Sequence, residues 1–184
     1  MSVWLWIGIG AAVVIVGTFF SYYNKFAVLA NRIKNSLSQI NVQLKRRADL
    51  IPNLIETVKG FAKHEKEAIK AVTDARKEMM GAKGVESKLE ANKGLESALK
   101  SIFALAENYP DLKANTNFLE LQRELTSTED KVAYARQNYN DTVLTYNNLC
   151  TTIPGVWFAS LYGKKEETYL QITEEEKKVV KVKF

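Results

Sequence analysis

One cysteine, one histidine and three prolines are all that 184 residues contain of those types, and no acidic side chain precedes Asp49. A lone Cys150 excludes an internal disulfide. Together with a lone His64 it also excludes a nitrogen-and-sulfur zinc cage. The run His64-Glu65-Lys-Glu-Ala68 lacks the second histidine of the zinc-protease helix motif. His64 therefore reads as a surface or helix-boundary side chain, and Cys150, without a suitable base, as a residue that packs. No glycine-rich phosphate loop is present, and no pair of carboxylates is set apart. The sequence nominates no catalytic residue, metal ligand or cofactor, and reads as a non-enzyme. Nine glycines and three prolines exclude a collagen-like or disordered chain. A net charge of +5, spread among alternating acidic and basic residues, excludes nucleic acid as the expected partner.

What the sequence does have is a long apolar opening. Val3 to Tyr23 holds 21 residues without a charge, which as a helix reach roughly 30 Å, the thickness of a bilayer's hydrocarbon core. Trp4 and Trp6 at one end, and Tyr22 and Tyr23 at the other, stand where membrane-interface aromatics belong. A cleavable signal peptide is the rival reading. It needs a basic start and small residues before the cleavage point, and Met1-Ser2 and Thr18–Tyr22 supply neither. Lys25, Arg32 and Lys34 follow the span while none precedes it, so the positive-inside rule puts the N-terminus outside and the remainder in the cytoplasm. Gly8 and Ala12, and Gly17 and Ser21, recur four apart, a spacing that lets two such helices approach closely.

Beyond the span the pattern predicts an all-α chain of four amphipathic helices. Phe26, Ala30, Ile33, Leu37, Ile40 and Leu44 alternate spacings of four and three as far as Arg47. A second stretch is expected from an Asp49 cap with Pro52 in its first turn, its seam running Ile51, Leu54, Val58, Phe61, Ala68, Val72, Ala75 and Met79. The alternative is one helix kinked at Pro52, against which the polar stretch Lys45–Asp49 favours a reversal. The third opens on the capping-box spacing Ser87 to Glu90 and runs to Tyr109, where Pro110 stops it. The fourth follows Asn117, with Phe118, Leu125, Val132, Tyr139 and Tyr146 at intervals of seven and Leu121, Thr128, Ala135, Thr142 and Leu149 as the second row. Short links imply antiparallel neighbours in an up-and-down four-helix bundle. The expected organisation is an anchor over 1–23, a bundle over 24–150, and an aromatic segment with a tail over 151–184.

In that topology the segment holding Trp157, Phe158 and Tyr162 returns to the bilayer, either to sit at the headgroups or to cap the open end of the bundle. Tyr169–Ile172 and Val179–Phe184 read as two short strands or a frayed tail. The basic cluster Lys45, Arg46 and Arg47 is the candidate partner surface. It stands about 33 Å beyond Tyr23 by helical rise, past the reach of the membrane's own surface charge. An acidic partner, a neighbouring subunit, or plain solvation of a helix end remain open for it.

Six stretches carry a resemblance: Asn31–Asn35, Ser38–Arg47, Asp49–Gly60, Tyr109–Asn115, Asn117–Gln122 and Ala135–Asn140. They resemble the LemA family of bacterial membrane proteins, in register from about Tyr22 to Tyr162. Leu37, Asn41 and Ile153 depart from the family pattern. The resemblance implies an N-terminal anchor and a four-helix bundle, without an activity. Family members often lie beside a membrane metalloprotease of the HtpX type, which implies an envelope protease or another membrane protein as partner. The leading expectation is a membrane-anchored scaffold or adaptor that forms homo-oligomers, with a lipid-ordering or membrane-shaping assembly as the alternative. Asn31, Asn35, Gln39, Asn53, Asn115, Asn138 and Asn140 lie among the seams, to fix register or to recognise a partner.

Overall fold

The computed structural model describes residues 3–170. Six helices follow one another: α1 Val3–Phe61, α2 Lys66–Gly81, α3 Val85–Ala106, α4 Pro110–Lys113, α5 Thr116–Thr151 and α6 Gly155–Leu161. The described residues contain no strand. Of the two expected strands, Tyr169 and Leu170 belong to a segment without regular structure, and Gln171 onwards lies outside the described residues. The chain divides into two compact units, one of Met1–Ser36 with Gln137–Phe184, the other of Leu37–Arg136. α1 and α5 each contribute to both.

The expected reversal near Arg47 does not occur. α1 runs through Pro52 to Phe61, and the chain turns at Ala62–Glu65, with His64 exposed in that turn. The apolar register explains the continuity: Ile40, Leu44, Arg47, Ile51, Leu54 and Val58 keep the four–three spacing across Pro52, and all are buried. A reversal would have broken that phase. A proline inside a helix leaves the carbonyl four residues earlier without its donor. Here that carbonyl, of Ala48, accepts from Arg76 Nε at 2.8 Å.

In the second unit α1 contributes those residues, α2 adds Val72 and Met79, α3 adds Leu95, Leu99, Ile102 and Ala106, and α5 adds Phe118, Leu125 and Val132. Two expected caps move. α3 starts at Val85 after Gly84, whose φ of 85° suits a residue without Cβ, and no side chain caps it. Ser87 thus falls inside the first turn, too late to cap. α5 is capped by Asn115, not Asn117: Asn115 Oδ1 accepts from the Phe118 N–H at 3.0 Å.

α5 is one helix, as its repeat requires. Its second buried row shifts, however. Thr128 and Ala135 are buried as expected, but the row continues through Val143 and Cys150, while Thr142 and Leu149 are only half-buried. An α-helix drifts about 20° per heptad against a strict seven-residue repeat, so a straight row hands over to its neighbour.

Candidate membrane-interface site

An 18-residue apolar window of α1 is 0 % buried, and by length and composition α1 is the one described helix able to cross a membrane. Where its apolar run ends, the first unit assembles a cluster of rings. Tyr22 stacks on Phe158 with centroids 4.5 Å apart and planes 11° from parallel. Tyr162 meets Phe19, Tyr23 and Phe26 edge-on at 5.2, 5.7 and 6.0 Å. Its hydroxyl donates to the Phe19 carbonyl at 2.7 Å. Lys25 Nζ lies 4.7 Å over the Tyr22 ring, within the range of a cation–π contact. Such edge-on and offset pairs contribute about 0.5–1.5 kcal/mol beyond the area they bury.

Two devices place α6 against α1. Gly155 stands so close to α5 that a Cβ would lie 2.1 Å from the Leu149 carbonyl oxygen, so only glycine permits this turn. At the other end Gly163, at φ 63°, terminates α6 in a Schellman arrangement. The Gly163 N–H donates to the Ser160 carbonyl at 3.3 Å and the Lys164 N–H to the Ala159 carbonyl at 2.9 Å.

The chain then runs extended along α5, held by side-chain amides. Asn147 Nδ2 donates to the Glu167 carbonyl at 2.9 Å while its Oδ1 accepts from the Glu167 N–H at 2.8 Å. Asn140 does the same for Leu170, both at 2.9 Å. Between them Tyr139 Oη donates to the Thr168 carbonyl at 2.9 Å. The spacing follows from the two geometries: seven helical residues rise about 10.5 Å, and three extended residues about 10 Å. Asparagines seven apart on α5 therefore match backbone three apart in the strap. Leu170 is buried beside them.

Of the expected interface residues, Tyr22, Tyr23, Phe158 and Tyr162 come together. Trp157 makes no ring contact among the described residues and is 64 % exposed, and Trp4 and Trp6 near the start of α1 are exposed as well, at 80 % and 62 %. Within the aromatic segment Phe158 and Tyr162 pack against α1, and Trp157 faces outward. Cys150 is buried, and burial pushes its thiol above its ordinary value.

The cluster Lys45, Arg46 and Arg47 belongs to the second unit, and Arg47 has to be taken out of the expected surface. Arg47 occupies a seam position and is 2 % exposed, with Nη1 3.1 Å from Glu96 and Nη2 3.3 Å from Glu129. Arg46 pairs with Glu124 at 2.9 Å, and only Lys45 stands exposed without an ion pair among the described residues. The seam places Arg47 inward, so its charge is matched within the fold. Asn147 was missed, although it follows Asn140 by seven, the interval that already marked the α5 seam. No group of acidic, histidine or cysteine side chains able to hold a metal occurs among the described residues.

A family model described as the LemA family matches residues 36–184. A magnetosome protein MamQ of Magnetospirillum gryphiswaldense is 24% identical over 189 residues, covering 89% of this chain and 70% of that protein. A MamQ protein of Paramagnetospirillum magneticum is 24% identical over 191 residues, with 90% and 70% covered. A protein LemA of Metamycoplasma hominis is 25% identical over 138 residues, covering 72% of this chain and 63% of its own length.

Proposed function

The chain belongs to the LemA family, and from that premise we propose a non-enzymatic scaffold or adaptor, anchored in the cell (inner) membrane by α1 and associating with further copies of itself. The N-terminus lies outside, and the residues after Tyr23 lie in the cytoplasm. The observation that carries this reading is the ring cluster at the end of the apolar run, where Phe158 and Tyr162 of the C-terminal part clasp Tyr22, Phe19 and Tyr23. An apolar run left fully exposed has lipid as its natural solvent. A clasp at its boundary ties the helical body to the anchor at headgroup level, where rings with a polar edge are favoured.

The test is crosslinking in native membranes followed by mass spectrometry, after a carbonate wash. The chain should stay in the membrane pellet and yield crosslinks between copies, with Lys25 and Lys164 protected from an externally added amine reagent until the membrane is opened. Recovery in the carbonate supernatant, or the absence of both self-crosslinks and a stable partner, removes the proposal.

A second reading is a lipid-ordering assembly. It draws on the outward apolar residues Ile153, Trp157 and Leu161, all exposed around α6, which suit burial at the bilayer interface. Liposomes carrying the purified chain would cluster or change shape under this reading and stay unaltered under the adaptor reading. Replacing Trp157 and Leu161 with serine would abolish the effect.

A further inference from the structure

The exposed cationic surface of the second unit lies at the turn between α1 and α2. An open groove of about 590 Å³ is lined there by Lys59, Lys63, Lys66, Lys70 and Lys77, with Asp74 as its single acidic side chain. Five lysines against one aspartate leave a balance of +4 in a chain whose whole net charge is +5. Asp74 pairs with Lys77 at 3.7 Å. Lys59, Lys63, Lys66 and Lys70 make no ion pair among the described residues.

Where this unit buries or half-buries a guanidinium, it supplies an acceptor, as for buried Arg47 with Glu96 and half-buried Arg76 with the Ala48 carbonyl. The four groove lysines have no such use. Lys66 and Lys70 stand four apart on α2, where like charges repel, and Lys66 opens α2 at the positive end of its dipole, where Glu67 is the acidic side chain of the first turn. Glu65, at the N-cap, does not offset this by capping. Its side chain makes no cap bond and accepts instead from Tyr109 Oη at 2.8 Å.

We propose that this groove binds ligands carrying several phosphate groups. The ligand class follows from the lining. No arginine is present to fork onto one planar anion, and no aromatic ring is present on which a base could stack, so carboxylate forks and single-stranded nucleic acid are poorly served. Ammonium groups on flexible stems are compact point charges that adapt to several phosphates at once. The unpartnered N–H groups of the first turn of α2 add to the same positive field. Thr73 donates its hydroxyl proton to the Ile69 carbonyl at 2.8 Å, which leaves the lysine ammonium groups as the side-chain donors of the groove. The phosphates come from one of two sources, a free oligophosphate or the headgroups of anionic phospholipid. The proposal stands apart from the scaffold reading.

The test uses the full chain in nanodiscs of neutral phosphatidylcholine. One arm titrates inorganic tripolyphosphate by calorimetry; the other measures co-flotation with vesicles of phosphatidylglycerol. Wild type binds in at least one arm, and rising salt weakens it. The K59Q/K63Q/K66Q/K70Q variant binds about tenfold or more weakly, as expected when several exposed charge contacts are lost together. The charge-matched K45Q/K83Q/K100Q/K131Q variant binds as wild type does. Should the fourfold groove variant melt early, Lys70→Glu alone reports the same loss. Binding of tripolyphosphate only assigns a free phosphate ligand, and capture by vesicles only assigns lipid headgroups; either supports the site. Failure of wild type in both arms, or an equal loss in the charge-matched variant, overturns it.

Discussion

Arg76 Nε donates to the Ala48 carbonyl oxygen at 2.8 Å, and that oxygen is the one from which Pro52 withholds a helical donor. Ala48 is fully buried, so without Arg76 its carbonyl would stand unsatisfied away from water, at a cost of about 1–3 kcal/mol. One side chain from α2 thereby permits α1 to continue through a proline. Arg76→Met is expected to destabilise the wild-type chain by about 1–3 kcal/mol. In a Pro52→Ala background the cost should shrink, because the restored N–H serves Ala48 itself. A double-mutant cycle by chemical denaturation in detergent measures the coupling; equal costs in both backgrounds would refute it.

Arg47 sets up an asymmetric pair of substitutions. The guanidinium is buried, whereas Glu96 and Glu129 keep part of their carboxylates in water. Asn92 Nδ2 also donates to Glu96 Oε1, at 2.7 Å. Removing both carboxylates strands a buried cation, which costs about 3–5 kcal/mol when a buried pair is broken. Arg47→Met removes the cation but keeps its stem in the seam, and leaves two carboxylates able to hydrate. The E96Q/E129Q variant should therefore melt well below Arg47→Met. The reverse order would mean that Arg47 is held by packing alone.

These two residues also show what the sequence disclosed and what it concealed. The four–three repeat was readable on both sides of Pro52, and the two halves are in phase through Arg47. Counted across, the repeat announces one helix. A proline and a polar run outweighed it because the residue that makes the proline tolerable, Arg76, lies 24 positions downstream on another helix. Likewise, the arginine in the cluster looked like surface because charge suggests exposure, although its seam position required burial. The apolar start of α1 and the unbroken α5 were legible because each depends on local composition and periodicity alone. The ring cluster was half legible: the aromatics stood out, but their division into Phe158 and Tyr162 inward and Trp157 outward depends on the angle at Gly155. The strap was partly legible, with Tyr169 and Leu170 in a stretch that reads as extended and Asn140 among the amides, but its pairing with α5 leaves no mark in the sequence of the strap itself.

Asn140 and Asn147 give the strap its register, and each contributes two bonds to a backbone that has no partner strand among the described residues. Asn147→Ala leaves the Glu167 N–H and carbonyl to water, and Asn140→Ala does the same at Leu170. Each substitution should cost about 1–2 kcal/mol locally, and so speed amide exchange at its own contact by about tenfold or more. Asn147→Asp keeps the acceptor but not the donor, and should fall between alanine and wild type. Hydrogen exchange read by mass spectrometry on the 164–170 peptide makes the comparison. Exchange there that ignores all three changes would show that Leu170 alone holds the strap.

The strap also governs a titration beneath it. Burial, followed by the nearby Cys150 and Glu167, pushes the Tyr146 phenol from its ordinary 10.0 up to about 12. The native state thus keeps this proton after the unfolded chain has begun to lose its own. Above pH 10 deprotonation favours the unfolded chain, so the stability contributed by Tyr146 is complete below pH 10 and is lost as pH rises towards about 12. Tyr146→Phe has no such proton. Its stability relative to wild type should therefore be constant below pH 10 and improve across that alkaline window. Asn147→Ala loosens Glu167 and admits water over the phenol, which lowers its pKa and moves wild-type behaviour towards that of the phenylalanine variant. Denaturation midpoints of the three chains across the window, with a spectrophotometric titration of phenolate, test both steps. A wild type and a Tyr146→Phe variant that decline in parallel would show that the phenol titrates as freely folded as unfolded.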